Sequence, residues 1–306
     1  MAMIADCIKE GFTIANKNAQ LVIISAVVSI INLVSFFVIL GLPVIAALLY
    51  LGFDLAHARE MVPSILADPS GFVANYLGVI FLILTSFALY LSFTSVLYVY
   101  ALGGTLGILK DSATNVYFKF SMASFFGEAK LYMSRLLGLI SLVMLGVIVL
   151  FIIFMITGGI AAGVINAVTK SRGMLEMFFS SFALLSIIIF SILLVFAGLV
   201  FGVYSVVVLI TDGKGVIESV GRTYNFLKQT PEALLFYLIL IVGFVIANAF
   251  FYGIQVAVSV IPLFMPLVYI INTVFQSYLA IAVWSFLIVY YVKKTNHHAH
   301  HAGYEI

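Results

Sequence analysis

The sequence predicts an all-α membrane protein: six transmembrane helices arranged as three hairpins, each preceded by a cytoplasmic amphipathic interfacial helix. Three observations carry that expectation. Of the 306 residues, 64% are hydrophobic and only 8% are charged. Soluble domains carry roughly 25% charged residues, so this chain lacks the charge to cover a soluble surface. Asp, Glu, Lys and Arg are absent from 18–53, 69–109, 136–169, 177–211 and 233–292, and about 20 apolar residues suffice to cross a bilayer core. Finally, Lys and Arg gather in the segments that an even number of crossings places on one side. With one Cys, 6 Pro and little polar low-complexity sequence, disulfide-stapled, collagen-like and disordered classes are excluded. The runs are apolar on every face, whereas barrel strands alternate.

Six spans follow, near 20–50, 76–108, 136–167, 178–210, 233–260 and 267–292. The last charge-free run is too long for one crossing. Pro262 and Pro266 divide it, because proline removes a backbone donor and disfavours helix at the preceding residue. Gly41-Leu42-Pro43 predicts a kink late in the first span. Placing the N-terminus in the cytoplasm puts eleven of the 14 Lys and Arg inside and leaves Arg59, Lys170 and Arg172 outside. Both termini are therefore expected on the cytoplasmic face of the cell membrane. The first apolar run is too long for the core of a cleavable signal peptide. Cys7 is expected as a free cytoplasmic thiol, with palmitoylation as an alternative.

Spans one, three and five each follow an amphipathic segment with a period near 3.6. The first carries Ile4, Ile8, Phe12, Ala15 and Ala19 on one face; the second carries Met122, Phe125, Phe126, Ala129, Tyr132, Met133 and Leu136. The third carries Val216, Ile217, Val220, Tyr224 and Leu227. Each contains a glycine (Gly11, Gly127, Gly221) with a base six to eight residues later: Lys17, Arg135 or Lys228. The expected organisation is a single polytopic domain over 1–294, with pseudo-repeats at about 4–110, 120–211 and 214–293, and a flexible His-rich tail over 295–306. Lys17, Arg135, Arg222 and Lys228 are the candidate lipid-headgroup contacts, since interfacial helices direct bases toward phosphate.

The third unit opens on Thr211-Asp212-Gly213-Lys214-Gly215, then Glu218-Ser219 and Arg222-Thr223-Tyr224, then Leu227-Lys228. This pattern, on the end of an apolar span, resembles a large, poorly characterised multipass family of archaea and bacteria. Its members are similar to the membrane domain fused to some glycerophosphodiester phosphodiesterases. The resemblance implies membrane localisation and helical architecture, and no particular activity. Read from the residues alone, Asp212-Gly213-Lys214-Gly215 is a turn signal. Glu218 and Arg222 stand i,i+4 and can pair, or Arg222 can hold a lipid phosphate.

No catalytic constellation is evident. The sequence has no His-Glu-x-x-His, phosphate-binding loop or Cys pair, and no cofactor is implied. Asp54, His57, Arg59 and Glu60 form one external cluster, better explained as a solvated helix extension. The His297–His301 tail offers imidazoles without a scaffold. The proposed spans hold no mid-membrane acid or base, which argues against proton antiport.

Uncharged polar residues are the more informative set. Asn248, Tyr252, Gln255 and Ser259 form one stripe of the fifth span, and Tyr269, Asn272 and Gln276 one stripe of the sixth. Folding the hairpin about 263–264 sets Gln255 level with Asn272, and Tyr252 level with Gln276. Amides facing lipid are costly, so these stripes serve either helix packing or a cavity for a lipid or solute, and Asn32 is a further candidate. Gly103-x-x-x-Gly107, Gly159-x-x-x-Gly163 and Gly198-x-x-x-Gly202 permit close helix approach. A net charge of +2, with its bases in separate segments, gives no track for nucleic acid. The expected partners are membrane lipids and other membrane subunits. The expected role is a non-enzymatic scaffold, lipid-organising element or accessory subunit; the alternative is a transporter or channel for a lipid or small amphiphile.

Overall fold

The computed structural model describes residues 2–50, 69–115, 117–169, 174–259 and 265–302, and these are helical with no strand among them. The elements are α1 (Ala2–Lys17), α2 (Gln20–Ser35), a π-helical turn (Phe36–Gly41) and α3 (Leu42–Tyr50). Then follow α4 (Pro69–Thr114), α5 (Met122–Thr169), α6 (Met174–Asp212), α7 (Val216–Gln229), α8 (Glu232–Ser259) and α9 (Met265–Ala302). Six helical stretches are long and apolar enough to cross a membrane: Gln20–Leu49, Tyr76–Thr114, Met122–Gly159, Leu185–Asp212, Glu232–Val258 and Leu267–Thr295. The protein is thus built as a multipass membrane protein.

Proline chemistry shapes the first span. Pro43 cannot donate to a carbonyl one turn back, and its ring crowds that carbonyl. The helix answers with a wider turn just before it, where the Leu42 N–H reaches the Phe37 carbonyl. The Pro262–Pro266 turn lies largely outside the described residues, and α9 begins at Met265. Helix also continues past Lys294 into the His-rich segment.

α9 is the hub. It touches α1, α2, α4, α6 and α8. In its most apolar window 50% of residues are buried, against 6–17% in the other five spans. Residues 285–291 of α9 and 204–210 of α6 are buried without interruption, so about two turns of each helix are enclosed on all faces. The rest of the core joins them at the same end: Leu106, Ile108 and Leu109 of α4, Phe125, Tyr132, Leu136 and Leu139 of α5, and Phe226 of α7. Away from this end the helices are sparsely packed. Phe151, Met155, Phe190 and Ile192 are all more than 60% exposed, as lipid-facing side chains are.

The three amphipathic segments differ from the sequence expectation. α1 and α7 are separate helices, but the second segment is the first part of α5, which runs unbroken from Met122. No proline or turn residue separates Leu136 from the span, so propagation costs nothing there. Its stripe Phe125, Ala129, Tyr132 and Leu136 packs on protein, chiefly α4. In α1 the buried face is Cys7, Gly11, Ile14, Ala15 and Asn18, rotated from the expected one, and Phe12 stays 41% exposed. In α7 it is Ser219, Thr223 and Phe226, while Ile217 and Tyr224 face outward. Cys7 is fully buried, which withdraws it from palmitoylation.

Glycine sets the close crossings. A Cβ on Gly11 would stand 2.4 Å from the Phe286 ring and 3.0 Å from its backbone nitrogen. A Cβ on Gly104 would meet the Phe125 ring at 2.6 Å, and one on Gly107 the Glu128 Cβ at 2.5 Å. The first glycine pair of the sequence therefore marks a genuine α4–α5 approach. Gly159, Gly163 and Gly198 have nothing within 4 Å, and Gly202 has only Val143 at 3.5 Å. Substituting Gly11→Ala pushes against backbone and is expected to cost about 1–3 kcal/mol. Gly198→Ala is expected to be neutral or slightly stabilising, and thermal unfolding of the two variants in detergent checks the contrast.

Candidate functional site

Two regions bring the sequence-selected residues together. The first is a layer at the basic end, where the end of α6 meets α5, α7 and α9. A helix leaves its last carbonyls without intrahelical donors. Here α5 supplies them. The Tyr132 hydroxyl donates to the Ile210 carbonyl at 3.1 Å, and Arg135 Nη1 to the Gly213 carbonyl at 2.7 Å. A cation at a helix C-terminus also meets the negative end of the dipole. Gly213 adopts φ +63°, which turns the chain out of α6 and favours glycine at that position.

Asp212 then fastens two further helices. Its Oδ2 accepts from Arg222 Nη1 at 2.8 Å, and both of its oxygens stand 3.2 Å from the Tyr291 hydroxyl. Glu218 bridges Lys214 at 3.0 Å and Arg222 Nη2 at 3.4 Å. The expected i,i+4 pair is present, but the nearer partner of Arg222 is Asp212. The Lys214 hydrogen bond, with Arg222 beside it, holds the Glu218 carboxyl below the usual glutamate range. Hydrogen bonding to Asp212 raises the Arg222 guanidinium. The Glu218 contribution is present above the ordinary glutamate pKa and fades as pH falls through its lowered value; full exposure keeps it small.

Two further bases, Lys293 and Lys294, join the same layer. Lys293 pairs with Glu10 of α1, and Lys294 with Glu232 of α8 at 2.8 Å. Beneath them Phe236 stacks on Tyr290 at 4.3 Å, and Tyr204 donates to the Ala233 carbonyl at 3.1 Å. Arg135 and Arg222 thus spend donors on protein, although 46% of the Arg222 side chain is exposed. Lys17 and Lys228 lie on exposed helix faces.

The second region is a polar cavity of about 400 Å³ between α2, α4 and α9. α2 contributes Ser29 and Asn32, α4 contributes Tyr90 and Tyr98, and α9 contributes Tyr269, Asn272, Thr273, Gln276 and Ser277. Leu33 and Phe36 complete the wall, and no charged residue lines it. Asn32 Oδ1 accepts from Tyr90 at 3.2 Å and from Thr94 at 2.9 Å. Gln276 and Asn272 lie roughly 22–28 Å along α9 from Tyr291, at 1.5 Å per residue. The cavity therefore opens in the half opposite the closed basic layer.

Phe251 stacks on Phe275 at 4.2 Å and 13°, which keeps the hairpin within about one residue of the fold expected from the sequence. The Gln276 side chain, however, donates to Asn248 Oδ1, about one turn of α8 from Tyr252. Tyr252 is consequently 67% exposed, and Gln255, half-buried, stays outside the cavity. Asn248 closes a helix contact, donating also to the Phe244 carbonyl at 2.9 Å. Asn272 and Gln276 line the cavity, as does Asn32. Tyr90, Tyr98 and Ser29 were not anticipated as partners, because a lone tyrosine or serine in a span carries no pattern.

Among the described residues no three His, Cys, Asp or Glu side chains converge as a metal site. The Asp54–Glu60 cluster and the side chains of the His tail lie outside the described residues. Comparison with protein families, with curated proteins and with solved structures gave no match.

The basic layer has a direct check. Tyr132→Phe leaves the buried Ile210 carbonyl without its donor and is expected to lower stability by about 1–3 kcal/mol. Detergent-solubilised thermal unfolding measures it; unchanged stability would show that the cap is dispensable.

Proposed function

We propose that this is a non-enzymatic integral membrane protein that binds a membrane amphiphile in the α2–α4–α9 cavity. Its role is that of a lipid-organising element or accessory subunit in the cell membrane, with the basic end and both termini on the cytoplasmic side. One observation carries the reading: uncharged polar side chains line an open pocket of about 400 Å³ between membrane-crossing helices. An amide kept from water and left unpaired costs free energy. Asn272 is half-buried on the wall of this pocket, where a ligand hydroxyl would meet its amide, and that supports the reading. Membership of the family suggested by Asp212, Gly213, Gly215 and Arg222 belongs to the same proposal and adds no activity to it.

A second reading is a carrier for the same amphiphile. The one-sided opening favours it, because alternating access requires one closed end and one open end. Opening the other side would require the Asp212–Arg222–Tyr291 layer to part.

Lipid retention tests the first reading. The protein, purified in mild detergent, is expected to hold lipid in near-stoichiometric amount by native mass spectrometry. Asn272→Leu with Gln276→Leu is expected to reduce that retention several-fold with helicity unchanged. Equal retention by the double variant would refute the cavity as the binding site.

A further inference from the structure

Resting on that reading, we infer that the cavity selects a lipid whose headgroup is uncharged and hydroxyl-bearing, of the diacylglycerol or neutral glycolipid type, with an acyl chain along the α2–α9 seam. Two features of the wall carry this inference. The first is the wall's chemistry. Asn32, Asn272 and Gln276 on the cavity wall are half-buried amides, and Tyr98 and Tyr269, 45% and 58% exposed, present their hydroxyls at its mouth. They offer donors and acceptors together, which hydroxyls satisfy because each hydroxyl both donates and accepts.

No Lys or Arg lines the cavity, and the bases of the basic layer pair around Asp212 and Tyr291, roughly 22–28 Å away along α9. A phosphate drawn into this space would lose hydration with no cation to offset the loss. The aromatic faces of Tyr90, Tyr98 and Tyr269 are compatible with a quaternary ammonium, but the phosphate attached to choline would meet the same penalty.

The second feature is a small apolar crevice of about 70 Å³ beside the cavity. It runs between α2 and α9 past Ala26, Ile30, Ile270 and Val274. It shares Ser29, Leu33, Tyr269 and Thr273 with the polar cavity. A polar pocket that shares one wall with a shallow apolar seam, where Ile30 and Ile270 are each 59% exposed, has the outline of an amphiphile whose chain lies along the lipid boundary. A free polyol would fill only the first part. The occupant is therefore a lipid, its head among Asn32, Asn272 and Gln276 and its chain beside Ile30 and Val274.

Photo-crosslinking in phosphatidylcholine nanodiscs tests this. The full chain is reconstituted with a photoactivatable diacylglycerol or with a photoactivatable phosphatidic acid, and adducts are mapped to peptides. Diacylglycerol is expected to label α2 and α9 at the seam, and unlabelled diacylglycerol is expected to compete. Tyr269→Phe, which keeps the ring and removes one hydroxyl, is expected to lower labelling several-fold; Asn272→Leu is expected to lower it further. Phosphatidic acid that labels the seam as strongly, and competes, would overturn the uncharged-headgroup inference while leaving lipid binding intact. Competition by free glycerol as effective as that by diacylglycerol would overturn the lipid source in favour of a soluble polyol. Absence of seam adducts with either lipid would overturn this inference together with the amphiphile-binding function.

Discussion

Apolar helices gain no hydrophobic free energy by leaving lipid tails for one another, so their association rests on close approach and on polar bonds. Both are concentrated at the basic end. Gly11 lets α1 lie against the Phe286 backbone, and Gly104 and Gly107 bring α4 onto α5. Tyr132 and Arg135 cap the end of α6, and Asp212 draws α7 and α9 to the same point through Arg222 and Tyr291. The enclosed turns of α6 and α9 are the consequence, and every other helix is positioned by its distance from that layer.

The opposite half is organised differently. Few contacts restrain α5 and α6 there, and their large side chains face outward. Around α9, however, α2 and α4 stay close enough to enclose polar space. The side chains in that space are amides, phenols and hydroxyls, groups that both donate and accept hydrogen bonds. The stiff layer supplies the stability, and the cavity draws on it.

The two regions also explain why the signature in 208–228 can be read without a substrate. Its turn glycine, its acid and its arginine all belong to the closing of a helix end. An arginine that holds Asp212 at 2.8 Å already has a structural task. The motif marks the base of the molecule.

Six apolar helices of spanning length and the helical class were legible in the residues, because charge and proline are rare in the interior of a span and so mark its limits. The i,i+4 relation of Glu218 and Arg222, and the polar stripes through Asn248 and Asn272, were legible for the related reason that helical periodicity is local. Only the tertiary structure decided which face of α1 is inward, which glycine pair is a true crossing, and that Gln276 meets Asn248 while Asn272 and Asn32 line the same pocket. Those choices depend on partners far apart in sequence, such as Phe286 for Gly11 and Phe275 for Phe251. An apolar helix offers nearly equivalent faces to lipid, and the selection among them is made by the neighbour that fits.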